Sequence, residues 1–431
     1  MVAKSLLLLS LLLSSIVHAT PMIEHWQTKD GARVYFVAAP ELPMIDVNIV
    51  FDAGSARDGD LSGVALLTNA MLNEGADGLN TDQIATQFED VGAQFGNSSK
   101  RDMTLFSLRT LTTPSALEPA LSLFNKVLTQ PDFPQASFDR IKKQILLSLQ
   151  AEKQSPAALA SRAFYTHLFG DHPYATMPIG DQQSVDKIDI ASLKTFYQQY
   201  YVANNAVIIL VGAVTTAQAK VIAEQVLTGL KPGHKAANLP KVTALTTANM
   251  VKIKHPSSQT HILMGQTGLS RNDADYFALY VGNHILGGSG LVSQLNNEIR
   301  EKRGLSYSVY SYFHPMHQQG PYQFGLQTRN DQAQQALDIM RATTENFIAN
   351  GPTEDELIAA KKNITGGFAL RVDSNSKIAG YLMMIGFYGL PLDYLDTFKS
   401  SVNAITTTHI KQAYQRRIHP DKMVTIMVGG E

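Results

Sequence analysis

Apolar and polar positions along the chain change period in a way that separates strands from helices. In "MIDVNIVFDAG" the apolar residues Ile45, Val47, Ile49 and Phe51 alternate, the period of a strand with one face on a core. "ARVYFVAAP" just before it reads as a second strand. A helix is expected from about Leu61 to Glu74, stopped near Gly75. Thr81 is placed to cap the next helix, with Asp82 in its first turn. "TEDE" from Thr353 has the spacing of a capping box and opens a long helix. Lys302 and Arg303 end another helix, Gly304 suits the residue beyond it, and Leu305 to Phe313 alternates as a strand.

The pattern is written twice. "VDKIDIASLKTFYQQYYVANNAVIILVG" from Val185 aligns without a gap with "VNAITTTHIKQAYQRRIHPDKMVTIMVG" from Val402, an offset of 217 residues. Lys194 and Lys411, Tyr197 and Tyr414, Val207 and Val424, and Gly212 and Gly429 coincide. Upstream, "KKQI" from Lys142 matches "KKNI" from Lys361 at an offset of 219. Two blocks in the same order at nearly one offset indicate a duplicated unit. The Gly/Pro/polar stretch "GLKPGHKAANLPKVTALTT" from Gly229 reads as the linker between copies. The expected organisation is α+β: a half at 20–228, a linker at 229–248 and a second half at 249–431.

The first residues follow a different logic. Lys4, an apolar run from Leu6 to Val17 and "VHA" ending at Ala19 have the layout of a secretory signal, assigned to residues 1–19. The run is shorter than the ~20 residues that a spanning helix needs, so no membrane span is expected after its removal. A periplasmic location follows as the expectation. The chain has no cysteine, which excludes disulfides, thiolate metal ligands and a cysteine nucleophile. A formal net charge of −1 offers no footprint for nucleic acid.

"FDAGSARD", "GDHPYA" at Gly170 and "NEIREKRGLSYSVYS", together with the duplication, resemble the pitrilysin-type zinc peptidases, the group that includes mitochondrial processing peptidase. The resemblance implies two homologous halves, each a largely antiparallel sheet backed by helices, which form a clam-like chamber with a partner chain. In active members a helix after "FDAGSARD" carries H-x-x-E-H. Two imidazoles one turn apart hold zinc and the glutamate takes a proton from the metal-bound water. Here that helix reads "SGVALLTNAMLNEGA", and the ligand and base positions are Leu66, Asn69 and Ala70. Counting 77 residues on, to the family's third ligand, reaches Leu147. Leucine and alanine offer no lone pair, and an amide is no useful base near neutral pH. No metal is expected in this chain. "HPMH" at His314 and His317 reads as a polar loop, and His172 of "GDHPYA" as a turn residue.

The resemblance also assigns an Arg and a Tyr seven positions apart in the second half. Arg300 and Tyr307 match them, the Tyr to stabilise an oxyanion and the Arg to hold a substrate carbonyl. "LGGSG", with Gly287, Gly288, Ser289 and Gly290, resembles the family's glycine-rich substrate-binding segment, and equally reads as a turn with Ser289 near an N-cap. "GNSSKRD" from Gly96 resembles the strand that pairs with substrate in zinc-bearing halves. The implied role is the non-catalytic subunit of an exported heterodimeric metalloendopeptidase. Zinc would sit in a similar-sized partner, and the substrate would be unfolded peptide. The alternative is a zinc-free peptide-binding or scaffold homodimer.

Overall fold

The computed structural model describes residues 21–430, so the signal assigned to residues 1–19 lies outside the described residues. Strands β1 (Glu24–Gln27), β2 (Arg33–Ala38), β3 (Met44–Phe51), β4 (Gln94–Ser99), β5 (Thr104–Leu111) and β6 (Ala206–Gly212) form one sheet, ordered β1-β2-β6-β3-β5-β4. Strands β7 (Asn249–Ile253), β8 (Gln259–Thr267), β9 (Val309–Phe313), β10 (Pro321–Arg329) and β11 (Val424–Val428) form the other, ordered β9-β10-β8-β11-β7. Without β1 the two orders correspond strand for strand. Even the exceptions match: β2 with β6 and β7 with β11 are parallel, and the other ladders of both sheets are antiparallel.

The helices repeat as the sheets do. The first half contributes α1 (Val64–Met71), α2 (Thr81–Asp90), α3 (Pro114–Thr129), α4 (Gln135–Glu152), α5 (Pro156–Phe169) and α6 (Ile190–Tyr200). The second contributes α7 (Tyr276–Asn283), α8 (Ala333–Asn350), α9 (Glu354–Gly366), α10 (Asn375–Tyr388) and α11 (Thr407–Arg417). The lysines of the "KK" echo do equivalent work. Lys142 Nζ donates to the Asp186 and Ile188 carbonyls at 2.9 and 2.8 Å, and Lys361 Nζ donates to the Asn403 carbonyl at 2.8 Å. Each neutralises helix-terminal carbonyls that have no partner within their helix.

Packing ties the halves together by exchange. One face of the first sheet, with Ile45, Val47, Ile49 and Phe51, buries against its own helices. Its other face, with Val50, Val207, Ile209 and Val211, joins the core of the second half, where Ile378, Leu382 and Ile385 of α10 pack. The reciprocal contact places Phe164 and Leu168 of α5 against Val424, Ile426 and Val428 of the second sheet. A β-carbon on Gly386 would stand 2.7 Å from Tyr35 Cε2, and one on Gly265 would stand 2.9 Å from Phe164 Cζ, so both crossing helices lie close because glycine lets them. Strand β6 is consequently buried along its whole length and reads as a continuous apolar run.

Residues 230–245 carry no helix or strand but are strapped down. Arg57 Nη1 donates to the Ala237 carbonyl, His172 Nε2 to that of Pro240, and Asn204 Nδ2 to that of Gly233.

Three local expectations need correction. Asn80, not Thr81, caps α2, because its extended backbone lets its carboxamide accept from the Gln83 N–H at 3.0 Å while Gln83 Oε1 accepts from the Asn80 N–H. Thr81 is the first helical residue and donates to Glu74. The helix expected from Leu61 begins at Val64 after Gly63, whose φ is +101°, and it tightens to a 3-10 turn over Leu72–Glu74. The strand expected from Leu305 begins only at Val309, since Ser306 Oγ bonds the Ser308 and Gln327 carbonyls and holds the preceding residues in a loop. The capping box at Thr353 is present.

Candidate functional site

Helix α1, which carries the positions of the family's zinc motif, is seated by "FDAGSARD". Arg57 clamps Asp52 through two bonds of 2.8 and 2.7 Å. Asp58 accepts from the Gly63 N–H at 2.7 Å and the Ala65 N–H at 2.9 Å, satisfying two donors at the helix start. Burial pushes the Asp58 carboxyl up to about 7 against the pull of those two bonds.

The motif positions themselves are packed apolar surface. Leu66 and Ala70 are half-buried against the first core, Leu67 and Thr68 are fully buried, and Asn69 is 3% exposed. The Asn69 carbonyl accepts from Asn97 Nδ2 of β4 at 2.8 Å, while its own Nδ2 is buried without a partner. The third position, reached by counting at Leu147, lies on α4. Ile141, Ile145 and Leu149 form the inward stripe of α4, Leu146 flanks it beside the core, and Leu147 is 54% exposed. Such a set does not fit a zinc ion. Among the described residues no cluster of three or more His, Asp, Glu or Cys could hold a metal ion.

In the second half the structure brings Arg300 and Tyr307 together. Arg300 lies in a wide π-type turn, Asn297–Glu301, at the end of a helical segment. Gly304 closes that segment with φ +61° and donates its N–H to the Arg300 carbonyl at 2.9 Å. The chain then reverses. Leu305 and Ser306 are buried and fix the loop, which leaves Tyr307 80% exposed. The Arg300 guanidinium carbon stands 4.5 Å from the Tyr307 ring centroid, a cation–π contact.

Neighbouring charges leave Arg300 the least paired cation of the segment. Glu298 accepts from Lys302 Nζ at 2.6 Å and Arg303 Nη1 at 2.7 Å, and these bonds hold its carboxyl below the usual range. Arg300 has only a 3.4 Å contact from Nε to Glu301. A half-buried guanidinium and an exposed phenol thus share one surface, both hydrogen-bond donors.

The glycine-rich segment lies against β9 and Leu295. Gly287 packs on strand β9, where a β-carbon would stand 2.3 Å from Ser311 Oγ, whereas Gly288 and Gly290 are exposed. Ser289 makes no capping bond; Ser293 caps instead, accepting from the Asn296 N–H. The outer edge of β9 is occupied, since Asn283 Nδ2 donates to the Ser311 carbonyl at 2.9 Å and Ser311 Oγ donates to Asn283 Oδ1 at 2.7 Å.

"GDHPYA" belongs to the joint between halves. His172 Nδ1 accepts from the Tyr174 N–H while Nε2 donates to the connector, and burial lowers its pKa. Tyr174 donates to Asp102, which also accepts from the Tyr388 hydroxyl and the His317 N–H of the second half. His317 packs on Phe387 and Tyr388. His314 lines a cleft with Tyr310 and Tyr312, residues that the motif reading passed over. The signal was in the chain: in β9 Tyr310 and Tyr312 face out while Ser311 faces in, the reverse of the usual alternation.

Two similar sheet-and-helix halves, with no metal-holding cluster among the described residues, define a peptidase-like chain. Residues 33–181 match the family description "Insulinase (Peptidase family M16)" and residues 187–364 match "Peptidase M16 inactive domain". A solved "peptidase M16 inactive domain" from Pseudomonas fluorescens is similar at 42% identity and TM-score 0.92, covering 95% of this chain and 98% of that one. The "Non-peptidase homolog YmxG" of Helicobacter pylori is 25% identical over 86% of this chain and 85% of its own. The "Uncharacterized zinc protease YmxG" of Bacillus subtilis is 22% identical over 83% of this chain and 87% of its own. The chain belongs to the M16 peptidase family.

Proposed function

We propose that this chain is the non-catalytic subunit of an exported heterodimeric zinc metalloendopeptidase that cleaves unfolded peptides. It would supply Arg300 and Tyr307 in trans to a similar-sized, zinc-bearing partner. The observation that carries the reading is the juxtaposition of a solvent-facing Tyr307 hydroxyl with an incompletely paired Arg300, in a chain whose own α1 cannot ligate metal. Donors aimed at a carbonyl as it gains charge are worth most when fixed beforehand, and the Gly304 turn with the Ser306 bonds fixes this pair. The exposed Gly288 and Gly290 suit close approach of a substrate backbone.

The test is recovery of the mature chain from its native host, followed by assay of the eluate on an unstructured peptide with and without chelator. A co-purifying chain with H-x-x-E-H and chelator-sensitive cleavage support the subunit. Recovery of this chain alone, folded and inert, overturns it in favour of a zinc-free peptide-binding or scaffold homodimer.

A further inference from the structure

The duplication places the same cleft on both sheets, and in one of the two an ion pair narrows it. Each crossing helix leaves part of a sheet face uncovered. Beside α10 the gap is bounded by Asp46, Arg109 and Ser376, and beside α5 by His261, Gln327 and Ala157. These are equivalent positions. Asp46 pairs across its ladder with Arg109 as His261 does with Gln327, and Ser376 and Ala157 are each the second residue of their helices.

In the first sheet Arg109 binds Asp46 through bonds of 2.7 and 2.8 Å and reaches Ser376 Oγ at 2.8 Å, which leaves about 280 Å³. Histidine, glutamine and alanine make no such bridge, and the second cleft measures about 600 Å³. One wall is aromatic: the rings of Tyr310 and Tyr312 stack at 5.6 Å, each more than a third exposed. The same cleft is lined by Arg101, which lies 3.4 Å over the Tyr165 ring, with Nε donating to the Tyr174 carbonyl and Nη2 to the Thr176 carbonyl and Met177 Sδ.

The charge balance of this cleft is one-sided. None of its described lining residues is Asp or Glu, and Arg101 makes no ion pair with a carboxylate among the described residues. Asp102, its chain neighbour, acts on Arg101 through its charge but spends its oxygens on Tyr174, Tyr388 and the His317 N–H, so the guanidinium has no directly paired anion. A guanidinium taken largely out of water without one is costly, and a bound anion relieves that cost. His261, His314, Ser161 and the two phenols add hydrogen-bonding groups around the same space.

We infer that this cleft binds a carboxylate-bearing peptide segment, with the carboxylate at Arg101 and adjoining apolar groups on Tyr310 and Tyr312. The carboxylate has two sources, an acidic side chain or a peptide C-terminus. The inference rests on the peptide-handling part of the proposed function, and not on the partner or on Arg300 and Tyr307.

The experiment is fluorescence anisotropy of the isolated mature chain with four fluorescein-labelled hexapeptides sharing a Gly/Ala/Phe body. They carry Glu or Gln at one position and a free or amidated C-terminus. The Gln amide should bind at least tenfold more weakly than the tightest of the other three. Preference for the Glu amide over the Gln free acid identifies a side chain as the source, and the reverse identifies the terminus. The double change H261D/Q327R rebuilds a pair that the first sheet already accommodates, and it should erase the discrimination. R101Q should do the same, and thermal melts of both variants establish that they are folded. Equal affinity for all four peptides overturns the inference, as does discrimination that survives in either folded variant. The assay uses the isolated chain and needs neither a zinc-bearing partner nor turnover, so failure here and failure of the subunit reading are told apart.

Discussion

Arg300 stands over the ring of Tyr307 at 4.5 Å, although six residues, a left-handed glycine among them, separate the two. The contact orients the phenol without engaging its hydroxyl, so the two parts of the tyrosine can be tested separately. Y307F keeps the ring under the guanidinium and removes only the donor. In a reconstituted pair with a zinc-bearing partner it should lower turnover about 10²–10³-fold if the hydroxyl faces the oxyanion. R300A should lower it as well. Because Tyr307 is 80% exposed, Y307F should shift unfolding by less than about 0.5 kcal/mol. Unchanged turnover in both variants removes the assigned roles.

The seating of α1 has a pH signature. Burial holds the Asp58 carboxyl at about 7 in the folded chain, against about 3.9 unfolded. Between those values the folded state binds a proton that the unfolded state has released. The Asp58 contribution to stability is therefore complete below about pH 4, falls as pH rises toward 7, and is constant above it. D58N cannot titrate and should flatten this part of the profile, at the cost of a weaker cap at low pH. Urea denaturation at pH 5 and pH 8 measures the slope; a slope identical in wild type and D58N refutes the assignment.

Asp102 is a rivet between the halves. Its carboxylate accepts from Tyr174 at 2.5 Å, Tyr388 at 3.1 Å and the His317 N–H at 2.8 Å, and it is 3% exposed. D102A orphans one buried and two part-buried donors and should cost about 3–5 kcal/mol, whereas Y388F removes one long bond and should cost about 1 kcal/mol. Equilibrium unfolding in urea distinguishes them, and equal small losses would remove Asp102 from this role.

Much of this architecture was legible from periodicity. Ile45, Val47, Ile49 and Phe51 alternate because one face of β3 meets its own helices, and the repeat at offsets of 217 and 219 carried the correspondence of β6 with β11 and α4 with α9. Other features were illegible for physical reasons. An amphipathic pattern states that α5 and α10 bury one face, but not that each buries it on the other half's sheet. Thr81 and Asn80 are both good caps, and only the extended backbone at Asn80 decides between them. Tyr307 was expected on a strand because Leu305 to Phe313 alternates, yet Gly304 and Ser306 hold it in a loop. Leu147 fell at the third ligand position by counting, while the stripe of α4 turns it outward.

The exchange of α5 and α10 makes a prediction about folding units. A chain of residues 20–228 lacks α10, so Val50, Val207, Ile209 and Val211 would face water. Residues 249–431 lack α5, which uncovers Val424, Ile426 and Val428. Each half alone therefore exposes a contiguous apolar sheet face of the kind that drives aggregation. Expressed singly, both halves should be insoluble or lack cooperative unfolding; co-expressed, they should assemble into one soluble complex. The intact chain should unfold in a single transition, since neither core is complete without the other's helix. The destabilisation by L382A, a fully buried α10 residue, should be about 2–5 kcal/mol and be felt equally by probes in both halves. A soluble, cooperatively folding 20–228 fragment, or two separate transitions in the intact chain, would show that the crossing helices decorate two independent domains rather than join them.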